Sequence, residues 1–371
     1  MNLNIVFFGL SITSSWGNGH ATTYRALIKA LAAQGHKVTF LERDLPWYRD
    51  HRDLRTTSYC RIALYKELKE VPRRFYRLVS EADLVVIGSY VPDGSVLADW
   101  ITTHARGVKA FYDIDTPVTL AHLEAGRLDY LNAAIIPRFD LYLSFTGGPV
   151  LNLIEEVYGS PRARALHCAI DPQIHAPLHV PLKWNLGYLG TYSKDRQHTV
   201  ERLLVEPARA MPQNRFVVGG PQYPAVIEWP ANVDRVEHLP PAAHPEFYCG
   251  QRYTLNVTRA DMVIAGFSPS VRLFEAAACG VPVITDRWPG IETFFEPGEE
   301  ILIAETPRDV IHYVSELPEE VRLNLAAAAR KRVLRCHTAG QRAKQLEEYY
   351  REATVSARVS PRLKSAAAAM A

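Results

Sequence analysis

The chain has few cysteines, almost no net charge and no long apolar run, and each shortage removes a class of protein. Its five cysteines (Cys60, Cys168, Cys249, Cys279, Cys336) are odd in number and scattered. No CxxC or Cys/His spacing occurs, so neither a disulfide framework nor a zinc site is indicated, and a reduced, cytoplasmic setting is expected. A formal net charge of +2 argues against wholesale nucleic-acid binding, which calls for a strongly basic face. Leu3–Leu10 is the first apolar run, too short for a signal h-region or a membrane span and without a basic segment ahead of it. Stable membrane insertion is therefore not expected.

What the chain does have is length and apolar content. Its 371 residues are 47% hydrophobic, enough for two cores of ordinary size. Short apolar runs alternate with helical segments. Strands are expected at Leu3–Gly9, Lys37–Glu42, Asp83–Gly88, Val108–Tyr112, Leu141–Phe145 and Ala163–Ala169, with helices such as Ala21–Gln34, Gly94–Arg106 and Val150–Tyr158 between them. That order predicts a parallel α/β sheet covered on both faces. Pro172, Pro177 and Pro181 mark Ile170–Leu182 as a linker. A second series follows, with strands at Asn185–Gly190, Arg215–Gly219, Val233–Glu237, Thr254–Val257, Val281–Thr285 and Ile301–Ala304. The expected organisation is two doubly wound, Rossmann-like domains, 1–170 and 183–338, facing a cleft at their strands' carboxyl ends. A helix at 339–358 is expected to pack back towards the first domain, and 359–371, rich in alanine, to fray.

The most informative segment is Ser268–Asp286, SPSVRLFEAAACGVPVITD. Ser268, Ser270 and Arg272 stand at a helix start, where free N–H groups and the dipole favour an anion. Glu275, one turn on, is a carboxylate suited to accept hydrogen bonds from a vicinal diol. An anion site followed by a diol acceptor suits a nucleoside diphosphate. A second loop, GTYSKDR after Leu189, offers Thr191 and Ser193 as phosphate donors. Lys194 and Arg196 in that loop can neutralise a diphosphate leaving group. Trp288 and Glu292 downstream read as local packing and as part of a following helix.

In the first domain, Gly17 and Gly19 in SITSSWGNGH allow a tight turn against a ligand. The third glycine of a dinucleotide fingerprint is missing, and only Glu42 offers a ribose partner. His20 follows at the edge of the sheet. Asp113 and Asp115 in YDIDTP alternate, so one should face the cleft; Asp115 also reads as a helix cap before Thr116-Pro117. A carboxylate from Asp115 would orient His20 and raise its basicity, giving a general base for a hydroxyl. The D-x-D spacing is not taken as a metal site. The basic run Lys66, Lys69, Arg73, Arg74 and Arg77 reads as a solvated helix face, with an anionic acceptor or membrane surface as the sharper alternative.

Ser268–Asp286, followed by W-x-G-I-E-x-F-F-x-P-G-x-E-I-L from Trp288 to Leu302, resembles the signature of the spore-maturation, CgeB-like glycosyltransferases. The resemblance implies a GT-B fold, with a nucleotide-sugar donor held by the second domain and an acceptor by the first. It puts Glu275 on the donor ribose and Ser268, Ser270 and Arg272 near the diphosphate. The E-x7-E of retaining relatives is incomplete, because Phe267 occupies the first glutamate's place. Gly19-His20 and the later Gly35-His36-Lys37-Val38 are similar to inverting enzymes, in which a loop histidine deprotonates the acceptor. The expected function is metal-independent transfer, without a cofactor, from a nucleoside-diphosphate sugar to the hydroxyl of a glycan, lipid, protein or small molecule. The expected partners include no nucleic acid. A nucleotide-sugar epimerase and a non-catalytic sugar-nucleotide or glycan binder are the competing functions. Conversion of labelled donor without an acceptor would mark the first, and affinity without turnover the second.

Overall fold

The computed structural model describes residues 1–17, 19–127 and 130–368, with side chains as far as residue 355. The chain divides into two compact units, Met1–His167 with Ala339–Ala371, and Cys168–Thr338. Asn18 of the glycine loop and the last three residues of the tail lie outside the described residues, while the final helix runs Ala339–Ala368. Among the described residues no helix is long and apolar enough to cross a membrane.

Unit 1 is built on seven parallel strands: β1 (Asn4–Gly9), β2 (Lys37–Arg43), β3 (Arg61–Tyr65), β4 (Leu84–Gly88), β5 (Val108–Asp113), β6 (Leu141–Ser144) and β7 (Ala163–Ala165). Their order is β3-β2-β1-β4-β5-β6-β7. Helices cover both faces, so the central strands are apolar almost throughout rather than alternating. β1 pairs with β2 from Asn4–Lys37 and with β4 from Ile5–Leu84. Chain order therefore reverses between β1 and β4, the point at which such sheets open a ligand crevice. Edge strand β3 was not among the expected elements, and the strand expected at Ala163–Ala169 stops at Ala165.

The final helix completes this core with Ala343, Leu346 and Ala353, packed among Leu27, Leu31 and Tyr112. Its polar anchor is buried His36. Nδ1 accepts the Leu3 N–H at 3.1 Å, so the proton sits on Nε2, which donates to Glu347 at 2.7 Å. Replacing His36 by Ala strands a buried backbone N–H and leaves Glu347 with Arg351 as its remaining partner. It is expected to cost about 1–3 kcal/mol in urea unfolding.

Unit 2 has six parallel strands, β8 (Trp184–Leu189), β9 (Phe216–Gly219), β10 (Val233–Val236), β11 (Gln251–Asn256), β12 (Val283–Thr285) and β13 (Leu302–Ile303), in the order β10-β9-β8-β11-β12-β13. The reversal here falls between β8 and β11. The proline-marked segment expected as the interdomain linker belongs to this unit. Ile170 bridges Thr338, His175 is buried, and the Leu178 N–H meets Cys249 Sγ at 3.2 Å.

Candidate active site

The helix Val271–Ala278 begins at Ser270, whose extended backbone (φ −73°, ψ 141°) caps it without a side-chain bond. Residues Arg272 to Ala278 are all buried, which a short helix apolar on nearly every side requires. Arg272, only 7% exposed, spans the reversal point of the sheet. Its Nε donates to the Leu189 carbonyl at the end of β8 at 2.5 Å, and Nη1 to Asn256 Oδ1 at the end of β11 at 2.6 Å. The guanidinium lies 4.9 Å over the Tyr188 ring. A Cβ at Gly190 would stand 2.6 Å from the Tyr188 hydroxyl and 3.0 Å from Arg272 Nη2, so the approach depends on glycine there.

Arg196 comes beside this group from the helix Lys194–Val200. Its Nη2 donates to the Thr191 carbonyl at 2.6 Å, and its Nε is buried without a partner. Burial, with the nearby Arg272 charge adding to it, lowers the Arg196 guanidinium from its ordinary range. Arg235 joins them, donating to the Val218 carbonyl at 2.5 Å and the Gly220 carbonyl at 3.1 Å. It stacks 4.2 Å from the Tyr223 ring centre, and the Tyr223 hydroxyl reaches the Gly190 carbonyl at 3.1 Å. Among the described residues none of the three guanidiniums makes an ion pair. Asp195 acts favourably on Arg196 and Glu237 on Arg235 without reaching ion-pair distance, and gathered, partly desolvated like charges are costly unless an anion completes them. The group sits where parallel α/β sheets bind ligands.

The other loop residues take different places. Thr191 contributes its carbonyl, and Ser193 gives its hydroxyl to Asp195, whose other oxygen accepts the Ala260 N–H at 3.0 Å. Lys194 is exposed on the first turn of its helix. Ser268 is buried, one residue after Phe267, whose backbone is left-handed (φ 47°) and hydrogen-bonded to the Pro289 carbonyl. Trp288 is core, against Phe294, and Glu292 is exposed in a short turn. A cavity of about 440 Å³ borders the ends of β11 to β13, lined by Asp195, Arg202, Thr258, Asp286 and Arg287 among others. Burial raises the Asp286 carboxyl above its usual range, and Thr258 holds it through backbone and hydroxyl.

Glu275 does not stand open as a diol acceptor. It is 4% exposed, and the Tyr248 hydroxyl donates to Oε2 at 2.9 Å. His175 Nε2 lies 3.5 Å from Oε1 and His244 Nδ1 3.6 Å from Oε2. Burial alone would raise this carboxyl; His244, His175 and Tyr248 outweigh it and hold it at about 2. The inward turn follows from the helix, because one full turn past Arg272 the side chain meets the Tyr248 helix rather than the strand ends.

In unit 1, Glu42 spends its buried carboxylate on the loop after β1. It accepts the Ile12 and Thr13 N–H groups at 2.8 and 3.0 Å and the Thr13 hydroxyl at 2.6 Å, which removes it as a ribose partner. Gly17 is left-handed (φ 58°) and exposed, and Gly19 opens the helix Gly19–Ala33. His20 and Asp115 both meet Tyr90, whose ring lies 5.4 Å edge-on to His20 and whose hydroxyl donates to Asp115 at 3.1 Å. Tyr90 itself has a left-handed backbone (φ 62°), a strained choice for an aromatic residue next to the β1/β4 reversal. The added basicity expected for His20 is not present: burial pulls its imidazolium down to about 4. Asp113 is buried instead under Tyr142 and Thr119, at 2.6 and 2.7 Å, and burial raises it to about 6. Asp115 caps the helix Thr116–Glu124 without a side-chain bond. Among the described residues no three His, Cys, Asp or Glu side chains cluster for a metal.

Residues 196–348 match a family model described as glycosyl transferase-like. No curated protein matches the chain. Solved structures share its fold over nearly the whole length. Sucrose-phosphate synthase from Thermosynechococcus elongatus is 14% identical with TM-score 0.68, covering 95% of this chain and 99% of that one. HepE of Anabaena, solved with UDP and glucose, is 12% identical with TM-score 0.67, covering 96% and 100%. An alpha-glucosyltransferase, solved with UDP-glucose and DNA containing an abasic site, is 12% identical with TM-score 0.70, covering 94% and 100%. The fold is thus GT-B, two parallel-sheet Rossmann-like units, and with the matched domain it supports an enzyme of glycosyltransferase type.

Proposed function

We propose that this GT-B chain transfers a sugar from a nucleoside diphosphate to an acceptor hydroxyl, with unit 2 holding the donor. The observation that carries this is the group of guanidiniums of Arg272, Arg196 and Arg235 at the β8/β11 reversal, none in an ion pair among the described residues. A diphosphate there would supply directly contacting counter-charge, and the same guanidiniums would stabilise it as it leaves. They provide the positive charge that the leaving group needs, so the reaction we propose requires no metal. The cavity lined by Asp195 and Asp286 has room for the nucleoside. The Ser268–Leu302 signature supports the CgeB-like branch as the finer family.

We assign the proton transfer to His20. A neutral imidazole accepts the acceptor's hydroxyl proton as the oxygen bonds the anomeric carbon and the bond to the diphosphate breaks. Direct displacement of this kind inverts the anomeric centre. Asp115, through Tyr90, positions the ring rather than charging it. UDP and UDP-glucose are the first donors to test. Arg196→Ala is expected to weaken UDP binding about tenfold or more by calorimetry while its melting temperature changes little, because the lost bond from Nη2 to the Thr191 carbonyl is offset by removing a buried charge beside Arg272 whose Nε has no partner. Unchanged affinity would remove the diphosphate from this group.

A further inference from the structure

Unit 1 carries a second arginine-lined site, at the carboxyl ends of β1 and β2 and beside β3. A cavity of about 450 Å³ is lined by Thr13, Arg49, Asp50, Arg52, Arg55 and apolar Ile62 and Leu64 of β3. Arg52 is fixed from two sides, Nη2 to Asp44 at 2.6 Å and Nε to the Thr13 hydroxyl at 3.1 Å. Arg49 reaches the same Asp44 carboxylate at 3.2 Å. Burial would raise Asp44, but the hydrogen bonds from Arg52 and Arg49 hold it below its usual range, so it stays ionised as their anchor. Arg55 is exposed and makes no ion pair among the described residues. Three guanidiniums therefore line one cavity, and against Asp50 in the described lining and Asp44 behind it the positive charge is in excess by one.

Beside the arginines stands a shelf of aromatic rings. Trp16 and His51 stack at 4.7 Å with planes 13° apart, and Trp47 lies 5.7 Å from His51. Trp47 is 60% exposed and Trp16 37%. The shelf is braced, since Ser14 Oγ donates to the His51 carbonyl at 2.8 Å and His51 Nδ1 bonds the Trp47 carbonyl at 2.9 Å. Trp16 also belongs to the loop that leads to His20. Flat exposed rings suit the C–H face of a pyranose, and a concave basic cavity suits a carboxylate or phosphate ester.

We propose that this site binds an acidic saccharide, a sugar carrying a carboxylate or phosphate, with its ring on Trp47 and Trp16 and its anion among Arg49, Arg52 and Arg55. Calling that saccharide the acceptor rests on the transfer reading above; the binding itself does not. An anionic membrane surface fits less well, because the site is concave and interrupted by Asp44, Asp50 and Asp53.

The test uses the full chain in calorimetry with two matched pairs: tetragalacturonic acid against its methyl ester, and glucose 6-phosphate against methyl glucoside. At least one anionic member is expected to bind about tenfold or more tightly than its neutral counterpart, with the margin shrinking as salt is raised. Whichever pair shows the margin names the anion. Arg49→Ala with Arg55→Ala should reduce the margin to less than about twofold, and Trp47→Ala should weaken charged and neutral members alike, with UDP affinity unchanged in both. Equal binding within both pairs overturns the proposal. So does binding to phosphatidylglycerol vesicles without binding to any of the saccharides. Failure of UDP to bind the unaltered chain counts against the transfer reading alone.

Discussion

Glu275→Gln is expected to destabilise the protein by about 3 kcal/mol at neutral pH, measured by urea unfolding, because it removes a buried charge while leaving His175, His244 and Tyr248 around it. The pH dependence gives the sharper readout. Its folded carboxyl is held at about 2, against an ordinary 4.5. Folding is then favoured by the ionised form, so the contribution is complete above pH 4.5 and is lost as pH falls from there through 2. The unaltered protein should lose about 3 kcal/mol across that window through this group, and the Gln variant should lose correspondingly less. Parallel pH curves would show that the carboxylate is not held by its neighbours. The variant also separates an anchor from a ribose contact. The buried geometry predicts that UDP and pyrophosphate affinities change equally, whereas a loss confined to UDP would return Glu275 to the ribose.

The difference between Glu275 and Arg272 shows what the sequence carries and what it does not. Both were readable as polar residues on one short helix after a loop. The helix start and its buried, apolar run follow from local pattern, as do strands such as NIVFFG and LVVIG, whose apolar content is continuous because both faces are covered. Local pattern also brought Arg272 and Arg196 into consideration, since the first stands at a helix start after a polar loop and the second in the loop that follows a strand. The partners that decide their chemistry come from far along the chain. Arg235 sits in the strand VDRV, where it reads as one of the outward positions; only the packing of Tyr223 over Gly190 brings it to the site. His175 comes from a segment whose prolines suggested a linker. Its burial against Glu275 is a tertiary event without a local signature. Strand β3 was missed for a related reason: RIALY is an edge strand, one side of it unpaired and only Tyr65 fully buried. Tyr90 is similar, because a left-handed tyrosine after a buried strand has no sequence mark, yet it stands between His20 and Asp115.

His20→Ala is expected to lower kcat by about a hundredfold to ten-thousandfold, the usual range for a lost general base, while donor affinity stays within about twofold. The split matters because Tyr90 packs on His20, and a merely structural histidine would disturb binding and stability along with turnover. The pH profile tests the physical cause. A solvent-exposed histidine would become competent as a base on deprotonating near 6.5; burial moves that step to about 4. The acid limb of kcat/KM assigned to His20 should therefore centre near 4 in the free enzyme, with the rate flat through neutrality. The same burial makes the unfolded chain bind the extra proton between pH 6.5 and 4, so this group weakens folding as pH falls through that window. Tyr90→Phe removes the hydroxyl that donates to Asp115 but keeps the ring against His20. If Asp115 only positions the histidine, that variant should lower kcat modestly and leave the acid limb in place. A limb moving towards 6.5 would show that Tyr90 and Asp115 keep the site closed to water. Full activity of His20→Ala with a saturating acceptor would take the proton transfer away from this residue.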